Sequence, residues 1–166
     1  MADEQYYRQM REAALLLQAG DGKNAAVILT RLHELYPDNV DVASNLGAAY
    51  ILSKQYSAAI PILEAATKIE ENNAGLWVNL AAAYLGTLPI STLEQQDRAI
   101  GAFRRALEID PAHPNVHYNL GLIYEDRRDW ANACQMFRQA LQTNPADKDA
   151  RMLLAKAEKR LNEECS

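Results

Sequence analysis

The sequence has few of the residues that mark disulfide-rich, membrane-spanning or β-sheet proteins. Its 166 residues include two cysteines, Cys134 and Cys165, which are too few for a disulfide framework and favour a reducing compartment. No stretch approaches the ~20 apolar residues of a transmembrane helix, and the first residues lack the basic and apolar regions of a secretory signal. Valine and isoleucine together number 14, against 28 alanines and 21 leucines, which favours helices over strands. We therefore expect a helical, cytoplasmic protein without membrane insertion.

A surplus of basic residues is also absent. Lysine and arginine number 17 against 22 aspartates and glutamates, which gives a formal net charge of −5. A nucleic-acid-binding protein needs a basic surface to meet phosphates, so we expect no nucleic-acid partner. The hydrophobic content of 49% is high enough for an ordered domain with a sizeable core.

The apolar residues recur with a period of 34 residues. Three similar segments end at Tyr50, Tyr84 and Tyr124, which are 34 and then 40 residues apart. Each is followed by an alanine, a bulky apolar residue and a second alanine: Ala59, Leu63 and Ala66; Ala99, Phe103 and Ala106; Ala133, Phe137 and Ala140. Ala99 and Ala133 are again 34 residues apart, so six extra residues lie between Tyr84 and Ala99.

The period divides the chain into four predicted helix pairs and a closing helix, all in one domain. Repeat one covers about residues 6–39, repeat two 40–73, repeat three 74–113 with the insertion near 86–96, repeat four 114–147, and the capping helix 148–163. Repeat one is the weakest, because Glu12 stands where the others have leucine. A single pair cannot bury its apolar face alone, so neighbouring pairs must stack.

Small residues at one position of each first helix predict close helix packing. Gly47, Ala81 and Gly121 let the second helix approach, and Ala59, Ala99 and Ala133 supply the other side. Apolar residues recur three and four positions apart in both halves of each unit, which is the spacing of one helix face.

The six-residue insertion carries its own signals. The segment 86–89 ends a helix, because the residue before a proline is biased out of the helical region. Ser91 and Glu94 have the spacing of a capping box, so the next helix should start near Thr92 and gain roughly one and a half turns, about 9 Å. The insertion is either neutral variation in a loop or a protruding edge that touches a partner.

The repeat resembles a known family. Trp77-x2-Leu80-Ala81-x2-Tyr84 and Leu120-Gly121-x2-Tyr124, followed by Ala133-x3-Phe137, Ala140 and Pro145, resemble the tetratricopeptide repeat over nearly the whole chain. The resemblance implies an all-α fold, a right-handed α-solenoid of antiparallel helix pairs whose first helices line a concave groove. It also implies a non-catalytic scaffold that binds peptides or partner helices. Glu71 in place of proline and His117 in place of tryptophan depart from the pattern.

Helical geometry assigns one face of each first helix to the groove. At ~100° per residue, the face opposite the packing residues holds positions 2, 5, 6, 9, 12 and 13 of each unit. The candidate groove residues from this face are Asn45, Ala48, Leu52, Val78, Asn79, Ala82, Leu85, Tyr118, Asn119 and Leu122.

An asparagine recurs at one groove position, as Asn45, Asn79 and Asn119. Its amide offers both a donor and acceptors, so it can pair with the backbone of a bound peptide of any sequence. The pattern resembles the asparagine ladder with which some tetratricopeptide superhelices grip extended peptides. Alternatively, the asparagines bond to a neighbouring repeat or are merely tolerated at exposed helix positions.

The apolar groove residues indicate a binding strip, because contiguous exposed apolar surface usually marks an interaction site. Alternatively, the longer helix of repeat three or the curvature of the superhelix covers some of them. At the far end, Lys156, Lys159 and Arg160 are candidates to grip an acidic side chain or a carboxylate. Alternatively, these cations pair with Glu125 and Asp126 one repeat earlier or are simply solvated.

Residues with the spacing of a catalytic or metal site are hard to find. The segment 20–23 resembles a phosphate loop only in part and reads as a turn. His113 and His117 lack a third ligand nearby, and Cys134 reads as a small core residue. We therefore predict no enzyme activity, no metal and no cofactor.

Two functions remain as hypotheses. The first is an adaptor that binds an extended segment or a helix of a partner protein in the groove. The alternative is a self-assembly or regulatory module, in which the groove or an open end meets another copy or a separate catalytic domain. The chain is therefore a possible homo-oligomer.

Overall fold

The computed structural model describes residues 2–164, and within them the chain forms nine α-helices and one short 3₁₀ turn. Cys165, the second cysteine of the sequence, lies outside the described residues. The helices are α1 (Ala2–Gln18), α2 (Gly22–Leu35), α3 (Val40–Leu52), α4 (Tyr56–Ile69), α5 (Ala74–Leu85), α6 (Leu93–Ile109), α7 (Val116–Asp126), α8 (Trp130–Thr143) and α9 (Lys148–Glu164). The 3₁₀ turn is Leu88–Ile90, between α5 and α6.

The helices stack in chain order. Each packs against the next one along the chain, and α3 also contacts α1 and α5, the first helices of the neighbouring pairs. The buried residues form three clusters along the stack, with Leu29, Leu63 and Phe103 among their fully buried side chains. This confirms the predicted all-α solenoid, whose core is a series of layers between successive helix pairs.

Similar side-chain caps start several of the helices. Asn39 and Asn73 cap the first helices α3 and α5, where each side-chain oxygen accepts a bond from the backbone N–H three residues later. Asp21 and Asp129 cap the second helices α2 and α8 in the same way. These caps satisfy N–H groups that have no partner within the helix, and they set where each helix begins.

The predicted close approach occurs at the two glycines. A Cβ atom placed on Gly47 would lie 2.5 Å from Cδ2 of Leu63, and one on Gly121 would lie 2.5 Å from Cε1 of Phe137. Leu63 and Phe137 are fully buried, so they cannot swing away. The bulky residue of the second helix therefore rests directly on the bare backbone of the first.

An inter-repeat contact recurs with the period of the sequence. A residue of each second helix bonds to a residue twenty positions later, on the first helix of the next pair. The pairs are Thr30 with Tyr50 (3.2 Å), Glu64 with Tyr84 (2.6 Å), Arg104 with Tyr124 (3.0 Å) and Arg138 with Glu158 (2.6 Å). The two bonded positions are the same in each repeat, although the residue types differ. The contact therefore reflects how successive helix pairs stack in the solenoid.

The insertion differs from its prediction in two details. Helix α5 ends as expected at Leu85, with Gly86 in a positive-φ conformation at 60°. The capping box is formed by Thr92 and Gln95, however, so the prediction of Ser91 and Glu94 was wrong by one residue. Both candidate pairs have side chains suited to a capping box, so the local sequence did not distinguish them.

The predicted lengthening of α6 was too large. Helix α6 has 17 residues against 14 in α4, a gain of three residues and about 4.5 Å. The other residues of the insertion form the 3₁₀ turn and its flanks. That turn contacts α7, so the insertion folds back on the next helix pair.

Candidate functional site

The candidate groove residues lie on the partly exposed face of the first helices. Asn45, Ala48, Val78, Asn79, Ala82, Leu85, Tyr118, Asn119 and Leu122 are half-buried, and Leu52 is 49% exposed. The residues of the opposite face, such as Leu46, Leu80 and Leu120, are at most 2% exposed. The amphipathic pattern of the first helices therefore separates packing residues from residues that a ligand can reach.

The three asparagines have different surroundings. The Nδ2 group of Asn79 donates a 3.3 Å hydrogen bond to Oγ of Ser44, which links α5 to α3. Within residues 4–164, the side chains of Asn45 and Asn119 form no hydrogen bond with another residue. One amide thus bridges neighbouring helices through its donor, and two have both donor and acceptor groups available to a ligand.

The apolar strip is partly covered by its own chain. Val78, Leu85, Tyr118 and Leu122 pack against the core cluster formed mainly by α5 to α9, and Leu88 of the insertion packs against the same cluster. The 3₁₀ turn of the insertion also contacts α7, the helix that carries Tyr118 and Leu122. The strip is therefore a half-buried ledge, and Leu52 is its most exposed member.

Tyr118 presents a protonated hydroxyl within this strip. Its ring makes an edge contact with Phe137, with the ring centroids 6.1 Å apart. Burial raises the pKa of Tyr118, and the negative charges of Asp149, Asp147 and Glu125 raise it further. The hydroxyl therefore stays a hydrogen-bond donor at neutral pH.

The three cations predicted for the end of the groove are already paired. Nζ of Lys156 lies 2.6 Å from Oε1 of Glu125, whose side chain is only 14% exposed. Lys159 and Arg160 share Glu163 on their own helix, at 3.9 and 3.2 Å. Three cations thus meet two carboxylates, which leaves a surplus of one positive charge. The pairing of Lys156 is the one that the alternative interpretation expected.

Two surface cavities in the described part of the chain are lined by none of the candidate groove residues. One of about 520 Å³ lies between α4 and α6, where Trp77, Leu80 and Tyr84 meet Glu64 and Arg105. The other, of about 510 Å³, has Thr30 and Tyr50 among its lining residues. They occupy equivalent places one repeat apart, because each includes a repeat tyrosine and its bonding partner. Trp77 and Tyr84 are seven residues apart, or about two helical turns, so they lie on one face of α5. This spacing was the signal in the sequence that could have predicted the first cavity.

Burial keeps two potentially reactive side chains in their neutral forms. The Cys134 thiol is buried, and burial raises its pKa, which keeps it protonated. Burial lowers the pKa of His117, so its imidazole is neutral at pH 7. In the described part of the chain, no three His, Cys, Asp or Glu side chains are grouped so that they could hold a metal ion. No helix there is long and apolar enough to cross a membrane.

Three models of one family match the chain. They describe tetratricopeptide repeats and cover residues 16–83, 93–127 and 114–147. Among solved structures, a thermophilic repeat protein of this kind from Thermus thermophilus superposes with a TM-score of 0.74 at 21% identity. The match covers 90% of this chain and 79% of that one, so the two share a fold.

Two relatives are parts of, or helpers to, protein assemblies by name. The BBSome complex member BBS4 of Xenopus tropicalis is 28% identical over 122 residues, which is 72% of this chain and 22% of that protein. The photosystem I assembly protein Ycf3 of Synechococcus sp. (strain CC9605) is 36% identical over 73 residues, 42% of this chain and 39% of that protein. The matched part thus spans less than half the length of either relative.

Proposed function

Because the chain belongs to the tetratricopeptide repeat family, we propose that it is a non-catalytic adaptor that binds an extended segment of a partner protein in its concave groove. The observation that carries this proposal is the half-exposed asparagine at one position of three successive first helices. The family and its relatives in protein assemblies support a scaffold role.

The chemistry of the groove suits an extended segment. Asparagine amides at a regular spacing can donate to and accept from the backbone of a bound chain, whatever its side chains. The apolar side chains between them would bury alternate side chains of that segment, which adds affinity and some selectivity. The amides then fix the register, and the apolar ledge supplies most of the binding energy.

Site-specific photo-crosslinking tests the proposal. A benzophenone amino acid at Leu52, on the groove face, is expected to crosslink a partner protein in extracts of the native host. The matched control carries the same group at Leu35, which is 70% exposed at the end of α2. Equal crosslinking of one protein at both positions, or none at Leu52, would count against a groove ligand.

One observation favours self-assembly as the second candidate. Leu15 stands where the following repeats have Ala49, Ala83 and Ile123, which are at most 1% exposed, yet Leu15 is 60% exposed. A second copy that packed on this face of α1 would bury it. Light scattering over a range of concentrations, with Leu15→Ser as the comparison, tests this. A wild-type chain that stays monomeric throughout removes the candidate.

A further inference from the structure

The insertion carries two highly exposed apolar side chains, which form its outer edge. Ile90 ends the 3₁₀ turn and is 82% exposed, and Leu93 begins α6 and is 68% exposed. Leu88, at the start of the same turn, is half-buried against the core. The insertion is therefore anchored on one side and apolar on its outer side.

A buried polar network holds this edge in one conformation. Gln96 is only 2% exposed, and its amide nitrogen donates to Oγ of Ser91 at 3.2 Å and to Oδ2 of Asp126 at 2.8 Å. Its oxygen accepts from Nε of Arg127 at 2.6 Å. Because a buried amide is costly unless it is bonded, a network with these bonds made favours a single arrangement.

Arg127 ties the edge to the next helix pair with all three of its nitrogens. Besides Gln96, it donates to the carbonyl oxygen of Leu93 at 3.0 Å and pairs with Asp97 at 2.8 Å. The Thr92–Gln95 capping box fixes the first turn of α6 as well. These contacts hold the edge in one conformation before a partner binds. The edge is therefore preorganised, which lowers the conformational entropy lost on binding.

The charges around the edge indicate what kind of segment it suits. Glu94 is exposed on the first turn of α6, Asp97 lies one turn later and Asp126 faces the same region from α7. Arg127 pairs with Asp97, whereas Glu94 and Asp126 have no ion-pair partner among residues 4–164, so these two carboxylates make the edge negative. A partner whose apolar residues are flanked by lysine or arginine matches both features.

We propose that the edge formed by Ile90 and Leu93 is a second contact surface for the groove partner, and that it takes an apolar segment flanked by basic residues. This inference rests on the proposed function, because Leu88 and the 3₁₀ turn connect the edge to α7, one of the helices of the proposed groove. The insertion then extends the apolar strip past Leu85 and adds a charge preference that the asparagines do not supply.

A random peptide library displayed on phage, selected against the full chain, tests the inference. Enriched peptides are expected to pair Leu, Ile, Val, Phe or Met with Lys or Arg. Synthetic fluorescent copies should bind the Ile90→Ser/Leu93→Ser variant at least tenfold more weakly than the wild type, as measured by anisotropy. Leu35→Ser is the matched control, because it removes an equally exposed leucine elsewhere and should leave affinity unchanged. Thermal melting of each variant verifies its fold.

The outcomes separate the edge from the groove. Peptides that lose affinity for the Asn45→Ala/Asn79→Ala/Asn119→Ala variant, but not for the edge variant, would support the groove and overturn the edge. Peptides that lose affinity only for the edge variant would support the edge and count against the groove. Enriched peptides without basic residues, or a selection that enriches none, would also overturn the inference.

Discussion

The hydroxyl of Tyr84 donates a 2.6 Å hydrogen bond to Oε1 of Glu64, which lies on the preceding second helix. Arg98 reaches the same carboxylate oxygen at 3.0 Å, and its guanidinium lies 4.0 Å from the centre of the Tyr84 ring. One tyrosine thus joins α4, α5 and α6. The equivalent contact recurs along the solenoid, so it marks where successive layers are held together.

Removing this hydroxyl should weaken the stack. We expect Tyr84→Phe to lower the free energy of unfolding by about 1–2 kcal/mol, because the hydrogen bond to a carboxylate is lost. Tyr50→Phe is the matched control and should cost less, because its partner Thr30 is uncharged and 3.2 Å away. Urea unfolding of the two variants checks this. A larger loss for Tyr50→Phe would contradict the account.

The same tyrosine gives a prediction for alkaline pH. Burial and the hydrogen bond to Glu64 raise the pKa of Tyr84 above its ordinary value of 10.0. Its stabilising contribution is therefore complete below pH 10 and is lost as the pH rises through the folded-state pKa, because the unfolded chain loses the proton first. Unfolding curves above pH 10 should show a steeper loss of stability for the wild type than for Tyr84→Phe. Parallel losses would mean that the hydroxyl titrates alike in both states.

Alanine substitutions at two helical glycines should change the free energy of unfolding in opposite directions. We expect Gly121→Ala to lower the free energy of unfolding by about 1–3 kcal/mol, because its Cβ would overlap the buried ring of Phe137. Gly101→Ala is the matched control, since nothing lies within 4 Å of its added Cβ. It should raise stability by about 0.5–1 kcal/mol through the better helix propensity of alanine. Thermal melting of both variants measures the difference, and a neutral Gly121→Ala would show that the layers can separate.

The polar network of the insertion should depend on Arg127. We expect Arg127→Met to cost about 1–3 kcal/mol, because the side-chain oxygen of buried Gln96 and the carboxylate of Asp97 lose their partner. Hydrogen exchange should also quicken across residues 91–97. Arg128→Met is the matched control, because in residues 4–164 the Arg128 side chain makes no hydrogen bond or ion pair. If both variants exchange alike, Arg127 does not hold the edge.

The period of the sequence predicted stacked helix pairs, and the resemblance to the tetratricopeptide repeat implied the solenoid. Glycine, alanine and tyrosine recur at fixed positions, and each has a packing role that leaves little choice of partner. The details of the insertion were less predictable, because Ser91 and Thr92 are both good caps and Glu94 and Gln95 both fit the reciprocal position. The 3₁₀ turn before α6 also contacts α7, and no local pattern records that contact.

The candidate groove was predictable only as a helix face. Helical geometry separates Leu46 from Asn45, but it does not indicate that Leu88 packs beside Leu85 or that Asn79 bonds to Ser44. The same holds for Lys156, whose partner Glu125 lies 31 residues earlier. Such contacts depend on the stacking of separate repeats, which the pattern within one repeat does not specify.

The groove itself is tested most directly by the Asn45→Ala/Asn79→Ala/Asn119→Ala variant. Calorimetric titration with the partner segment identified by crosslinking at Leu52 gives its affinity, and circular dichroism on the same samples gives helicity and melting temperature. The account predicts binding at least tenfold weaker than that of the wild type, with helicity and melting temperature almost unchanged. Unchanged affinity, or a variant that unfolds, would contradict it, because the asparagines would then be idle or structural.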